Sequence, residues 1–223
     1  MPTLTFINSP RHPNPSPLPP TFTLTAKPKT DIYAAPSHGY IFSAPIAYRT
    51  LHTSTFHRAA VTITLRWTLQ FDQGGLILIF PQPTAPIPNA ESAGQKNMHP
   101  RWVKAGIEVN DRQPFASIVA REEWADWSLA ALPAHCTSDG GFTAKLRIGL
   151  QRHGNALLVF LVDAGRERLL REVQWVFCDE RDSAECLVGV YAARPDAEGA
   201  AEGALEVGFE GLEFLEGEGD SED

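Results

Sequence analysis

Arg101-Trp-Val-Lys-Ala-Gly-Ile-Glu-Val-Asn110 is the stretch whose reading decides the fold. Val103, Ala105, Ile107 and Val109 alternate with Trp102, Lys104, Gly106 and Glu108. A period of two is that of a β-strand with one face in a core. The second face is unusual for a solvated surface, because one row holds a large aromatic, a cation, a glycine and a carboxylate. Lys104 and Glu108, four residues apart on a strand, stand roughly 13 Å apart and do not form a simple pair. Gly106 between them bares the backbone, so that another group can approach closely. This face reads as the floor of a binding groove.

Working outward, Pro114 to Arg121 pairs with this strand through Asp111-Arg112-Gln113. Glu122 to Ser128 reads as a loop holding Trp124 and Trp127, which either pack over a sheet end or wall a ligand. Upstream, Ala59 to Phe71 alternates strongly and reads as one strand. Asp72-Gln-Gly-Gly75 follows as a turn that uses its glycines. Leu76 to Phe80 is apolar at every position, as a central strand covered on both sides would be. Pro81 to Pro100 reads as a long loop beside the groove, either a lid or rim or a disordered connection. Phe142–Leu150, Ala156–Val162, Leu169–Phe177, Cys186–Ala193 and Leu205–Leu215 are further strands. No stretch of helix length carries a 3.6-residue period. Eleven or twelve strands at regular spacing predict an all-β sandwich or barrel.

The first twenty residues hold seven of the 18 prolines and read as an N-terminal arm. Leu4-Thr-Phe-Ile7 lies extended on the domain, and the run from Pro10 to Pro20 is closed to helix and central strand. Residues 21–215 form the expected single β-sandwich domain and 216–223 an acidic tail. The net charge of −8 is unevenly spread. Eleven acids and no Lys or Arg fall between Asp196 and Asp223, leaving 16 acids against 19 bases elsewhere. No basic stripe suggests nucleic acid, and no apolar run near 20 residues suggests a membrane span. Cys136, Cys178 and Cys186 lack metal spacing and suit free thiols in a reducing, cytoplasmic setting.

Seven motifs follow in order: Thr30-Asp31, Phe71-Asp-Gln-Gly-Gly-Leu76, Trp102 to Glu108, Ser117-Ile-Val119, Asp126-Trp-Ser128, Leu146-Arg147, and Val188-Gly-Val-Tyr191 with Pro195. Together they resemble the fungal regulation-of-enolase family, part of a broader domain-of-unknown-function family with bacterial members. The resemblance runs from about Thr30 to Phe214. It implies a concanavalin A-like jelly roll of two curved antiparallel sheets with an open concave face. It implies a regulatory role rather than a defined reaction, and brings no catalytic residue with it.

The strand pattern places Gln73, Trp102, Lys104, Gly106, Glu108 and Ser117 along the expected groove. Arg147 and Arg171 are added from the polar faces of other strands, and Trp127 as a side wall. An aromatic platform with a carboxylate, cations and amides suits a small oxygen-rich molecule, a sugar or an acidic metabolite. Lys104 and Glu108 are also open to a purely structural role, as buried charges satisfied within the protein. Two-carboxylate glycoside hydrolysis is disfavoured, since no acid stands at 106 or 110 beside Glu108. No Gly-rich phosphate loop, zinc spacing or nucleophile elbow is present. Two main readings stand. One is a small-molecule-binding or regulatory protein. The other is a cofactor-independent cyclase, isomerase or dehydratase acting on a small polar or polyketide-like molecule, with Lys104 and Glu108 at its polar centre. A protein partner engaged through the edges or tail is the third. No cofactor or metal is expected in any of them. A concave face filled by side chains would exclude the first two.

Overall fold

A computed structural model describes residues 3–9, 18–83, 85–92, 99–178, 184–196 and 203–217. Its first eight strands are β1 (Thr5–Ile7), β2 (Thr21–Ala26), β3 (Ile32–Ala35), β4 (Gly39–Phe42), β5 (Ile46–His52), β6 (Phe56–Arg66), β7 (Gln73–Phe80) and β8 (Arg101–Asn110). The remainder are β9 (Gln113–Arg121), β10 (Ala125–Ala131), β11 (Thr137–Ser138), β12 (Thr143–His153), β13 (Ala156–Asp163), β14 (Arg166–Val173), β15 (Glu185–Ala193) and β16 (Leu205–Glu216). Among the described residues there is no α-helix, only three-residue 3-10 turns. Most of 10–20 and of the acidic tail, with part of the 81–100 loop, lie outside the described residues.

Two antiparallel sheets face each other. The first runs β1-β5-β15-β7-β8-β9-β10, and the second β14-β13-β12-β6-β16-β2 with β11 paired to the start of β12. This is the expected concanavalin A-like jelly-roll sandwich. Alternate residues of each sheet meet in one core. Leu76, Leu78, Val103, Ala105 and Ile107 from the first sheet share it with Val61, Ile63, Leu65, Leu146, Ile148 and Leu150 from the second. The N-terminal segment lies extended on the edge of the first sheet, with Phe6 opposite Ala47.

A second apolar cluster lies on the other side of the first sheet. The β3–β4 hairpin lays Ile32 and Phe42 over Ile77, Ile79, Trp102, Leu187 and Tyr191. A hairpin of four-residue strands is marginal alone. Here the fully buried side chains of Ile32 and Phe42 each contribute about 1.5–3 kcal/mol. Strand β7 is therefore covered on both sides, which accounts for its unbroken apolar run.

Four expectations change. The strand expected over 169–177 is β14, which begins at Arg166 and ends at Val173. The strand expected over 59–71 ends at Arg66, and Phe71 adopts a left-handed backbone with φ 63°. The glycines of 72–75 belong to β7 rather than to a turn. There the backbones of β7 and β8 crowd together, and a Cβ on Gly106 would sit 2.1 Å from the Gly74 carbonyl oxygen. The expected loop at 122–128 is largely strand, since β10 forms the edge of the first sheet.

Candidate functional site

The face of the first sheet that looks away from the core carries the polar row. Strand β8 contributes Trp102, Lys104, Gly106 and Glu108. Register places Gln73 opposite Glu108 on one side, and Ser117 opposite Gly106 on the other. Tyr191 of β15 lies opposite Gly75, and Trp127 of β10 opposite Val119.

Two linked groups of side chains result. In the first, Lys104 Nζ donates to Gln73 Oε1 at 2.7 Å and to Asp31 Oδ1 at 3.4 Å. Tyr191 Oη donates to the same Gln73 oxygen at 3.3 Å. The ammonium also lies 5.4 Å from the Tyr191 ring centre and 5.8 Å from that of Trp102, within cation–π range. Asp31 is the pin of the covering hairpin. Its carboxylate accepts from Ile32 N at 2.7 Å, and its carbonyl accepts from Ser43 N and Ala44 N. Lys104 is 2% exposed, so this group is closed to a ligand. Its charge is offset by Asp31 and by oriented dipoles, as a buried cation requires.

The second group is at the mouth. Glu108 Oε2 accepts from Ser117 Oγ at 2.5 Å and from Trp127 Nε1 at 3.0 Å. Among the described residues, Oε1 accepts no hydrogen bond, and Glu108 keeps 6% exposure. Trp127 is 41% exposed and Phe71 37%, with their rings edge to face at 6.4 Å. Burial pushes the Glu108 carboxyl above its ordinary range, and the negative charge of Asp31 adds to this. Lys104 and the hydrogen bonds from Ser117 and Trp127 pull in the opposite direction without cancelling it. Burial, with Glu108 and Asp31 nearby, likewise pushes the Tyr191 phenol well up, so it is a neutral donor.

A buried ion pair holds the Phe71 turn. Arg194 Nε and Nη2 grip the two oxygens of Asp72 at 2.8 and 2.7 Å. The carboxylate also accepts from Thr68 N and Leu69 N. Phe71 N donates to Val109 O, and Val109 N donates to Asp72 O, which fixes the turn to the end of β8. A bulky residue at positive φ persists only where its surroundings over-determine it. Here the ion pair and the two backbone bonds do so, and they set Phe71 beside Trp127.

Of the expected groove residues, Gln73, Trp102, Lys104, Gly106, Glu108, Ser117 and Trp127 do converge on one face. Two do not. Arg147 lies on the outer face of the second sheet, bonded to Glu213, Thr62 and Gly211. Arg171 ties the sheet edges together through Asp126 and Ser128. Polar alternation marks an outward face, and each sheet has one. The expected open groove is also corrected. Side chains and the β3–β4 hairpin fill its Trp102–Lys104 half, and among the described residues the exposed side chains on this face lie at the Glu108–Trp127 end. Asp31, Tyr191, Phe71 and Asp72 were not among the predicted site residues. All four sit inside the ordered motifs, and that was the signal available for finding them. Among the described residues, no three His, Cys, Asp or Glu side chains gather as metal ligands. No described helix is long and apolar enough to cross a membrane. Cys136 and Cys178 are free thiols.

The DUF1349 family, described as a protein of unknown function, matches residues 7–215. The chain belongs to that family. An uncharacterized protein of Emericella nidulans is 38% identical over 195 residues, covering 87% of this chain and 86% of its own length. A functionally unknown protein from Saccharomyces cerevisiae superposes with a TM-score of 0.66 at 20% identity, covering 96% and 97% of the two chains. A lectin from Bauhinia forficata, solved with GalNAc, gives 0.56 at 14% identity over 96% and 93%. The GH43 protein BlXynB of Bacillus licheniformis gives 0.59 at 8% identity, over 87% of this chain but 32% of its own. The fold is thus that of a broad concanavalin A-like group containing both lectins and carbohydrate-active enzymes.

Proposed function

We propose that the protein is a cofactor-independent enzyme acting on a small hydroxyl- or carbonyl-bearing molecule at the Glu108–Trp127 end of the outward face of the first sheet, with Glu108 as its single general acid or base. One observation carries this reading. Glu108 is held through Oε2 by two donors, while Oε1 accepts no hydrogen bond among the described residues and the residue keeps 6% exposure beside the exposed Trp127. A carboxyl whose proton affinity burial has raised is better suited to hold and pass on a proton than an ordinary exposed one. Phe71 and Trp127 supply an apolar wall that would orient the reacting molecule. Lys104 does not touch it. From behind, Lys104 holds Gln73 and offsets the neighbouring negative charge. Asp31, the other carboxylate that interacts with Glu108, is occupied by Lys104 and Ile32 N. Among the described residues the face therefore offers one available carboxyl, not the pair that glycoside hydrolysis uses. Isomerisation, dehydration or cyclisation fits one proton-transferring group.

The second reading is binding without turnover, in a regulatory protein. The exposed Phe71–Trp127 pair favours it, since a stacking surface suits a sugar-like or polyketide-like ring whatever Glu108 does. One experiment separates the two. Wild-type protein and Glu108→Gln are incubated with fractionated metabolite extracts, and each is followed by thermal shift and mass spectrometry. A species consumed by the wild type and turned over 10²- to 10⁴-fold more slowly by the variant supports the enzyme. A thermal shift in both proteins with no consumption replaces it with the binding reading. No shift and no consumption with any fraction rejects both, leaving a protein partner as the reading to pursue.

A further inference from the structure

A cleft of about 780 Å³ lies away from Glu108. It lies at the end of the sandwich beyond the β8–β9 turn, where the β6–β7 connection, the end of β10 and the start of β12 meet. Its volume is in the range of small-molecule sites. Trp67, Phe142 and Leu132 supply its apolar lining, and Gln70, Thr137 and Arg112 its polar one. The Trp67 and Phe142 rings pack 5.2 Å apart, and Phe142 is 51% exposed. None of the lining residues is acidic. The neighbouring carboxylates are directed elsewhere, Asp111 to Asn110 and Asp139 to Thr143.

Arg112 is the cation of this cleft, and among the described residues it makes no ion pair or hydrogen bond. Its backbone is a second and independent observation. Asp111 and Arg112 form the two-residue turn between β8 and β9, with φ of 48° and 59°. Such a turn favours glycine in its second place, because a Cβ disfavours the left-handed conformation. An arginine stands there instead, against local preference, with its guanidinium at an acid-free, aromatic-lined cleft. Backbone strain of this kind gathers where a side chain serves a ligand.

We propose that this cleft is a second binding site, for a monoanion with a flat apolar body such as an aromatic carboxylate, with Arg112 holding the anion and Phe142 against Trp67 taking the ring. The site is independent of Glu108. The test compares 2-naphthoate with neutral 2-naphthamide by titration. Trp67 donates its indole N–H to Gly141 O at 2.8 Å in the cleft wall, so its ¹H–¹⁵N NMR signal reports occupancy. Trp67→Phe assigns that signal. The wild type is expected to bind the acid at least about tenfold more tightly than the amide. Arg112→Gly abolishes the preference while keeping or raising the melting temperature, so lost binding is not lost folding. Phe142→Ala weakens both probes, and Glu108→Gln weakens neither. Equal affinity for the two probes, no shift of the Trp67 signal at millimolar acid, or a preference retained in Arg112→Gly would overturn the proposal.

Discussion

The outward faces of the two sheets carry the same kind of row in the sequence and behave oppositely in the structure. On the second sheet, Lys145 pairs with Glu210 and Arg147 with Glu213, and these pairs are exposed or partly so. Pairs of this kind contribute about 0–1 kcal/mol each, because water screens them and long side chains lose freedom in making them. On the first sheet, Lys104, Gln73 and Ser117 are almost wholly buried, and Glu108 nearly so. There each charge must be matched by a partner or neutralised, and small displacements matter. A charge in an alternating strand thus has no fixed meaning. What covers the face decides its energetics, and here the cover is the hairpin pinned by Asp31.

The sharpest way to break this contrast is to remove a charge from a buried pair. Asp72→Ala strands Arg194 and frees the Phe71 turn. It should cost about 3–5 kcal/mol in urea denaturation. A loss below 1 kcal/mol would mean that the pair behaves like those of the second sheet. Next in size is Gly106→Ala. Its methyl would meet backbone atoms of Gly74 and Gly75 that have no side chain to move aside. About 1–3 kcal/mol of destabilisation is expected by the same assay.

A third prediction concerns pH. The folded Glu108 carboxyl binds its proton more tightly than the unfolded one, so the folded state carries the extra proton above the ordinary carboxylate value of 4.5. Stability contributed by Glu108 is therefore full at low pH and declines as pH rises through that window. Glu108→Gln lacks this decline. Melting curves of the two proteins should diverge in favour of the variant as pH rises above 4.5, and parallel curves would contradict the raised proton affinity. The smallest effect is expected for Arg147→Ala, within about 1 kcal/mol, with no change in metabolite-induced thermal shifts.

Much of the fold was legible because alternation reports strands directly, and β8, β9, β12 and β13 lie where their patterns place them. The site was legible in part. The two-residue connection sets the register of β8 and β9, so Ser117 could be placed beside Gly106 on one face. Arg147 and Arg171 were misplaced because period two says which residues share a face but not which sheet owns it. Trp127 was expected in a loop, since two indoles and three acids within seven residues hide the weak alternation of an edge strand. The roof over Lys104 was not legible either. It depends on Ile32 and Phe42 of a short hairpin docking across strands distant in sequence, and only tertiary contact produces that.

The position of β16 has a consequence for how the molecule is made. This strand lies inside the second sheet, between β6 and β2. A chain emerging from the ribosome presents β2 and β6 long before Leu205–Glu216 exists to join them. Until then β6 has an open hydrogen-bonding edge beside Val61, Ile63 and Leu65, a template for pairing with other nascent chains. The second sheet therefore stays incomplete until β16 has been made, and β6 keeps its open edge through that interval.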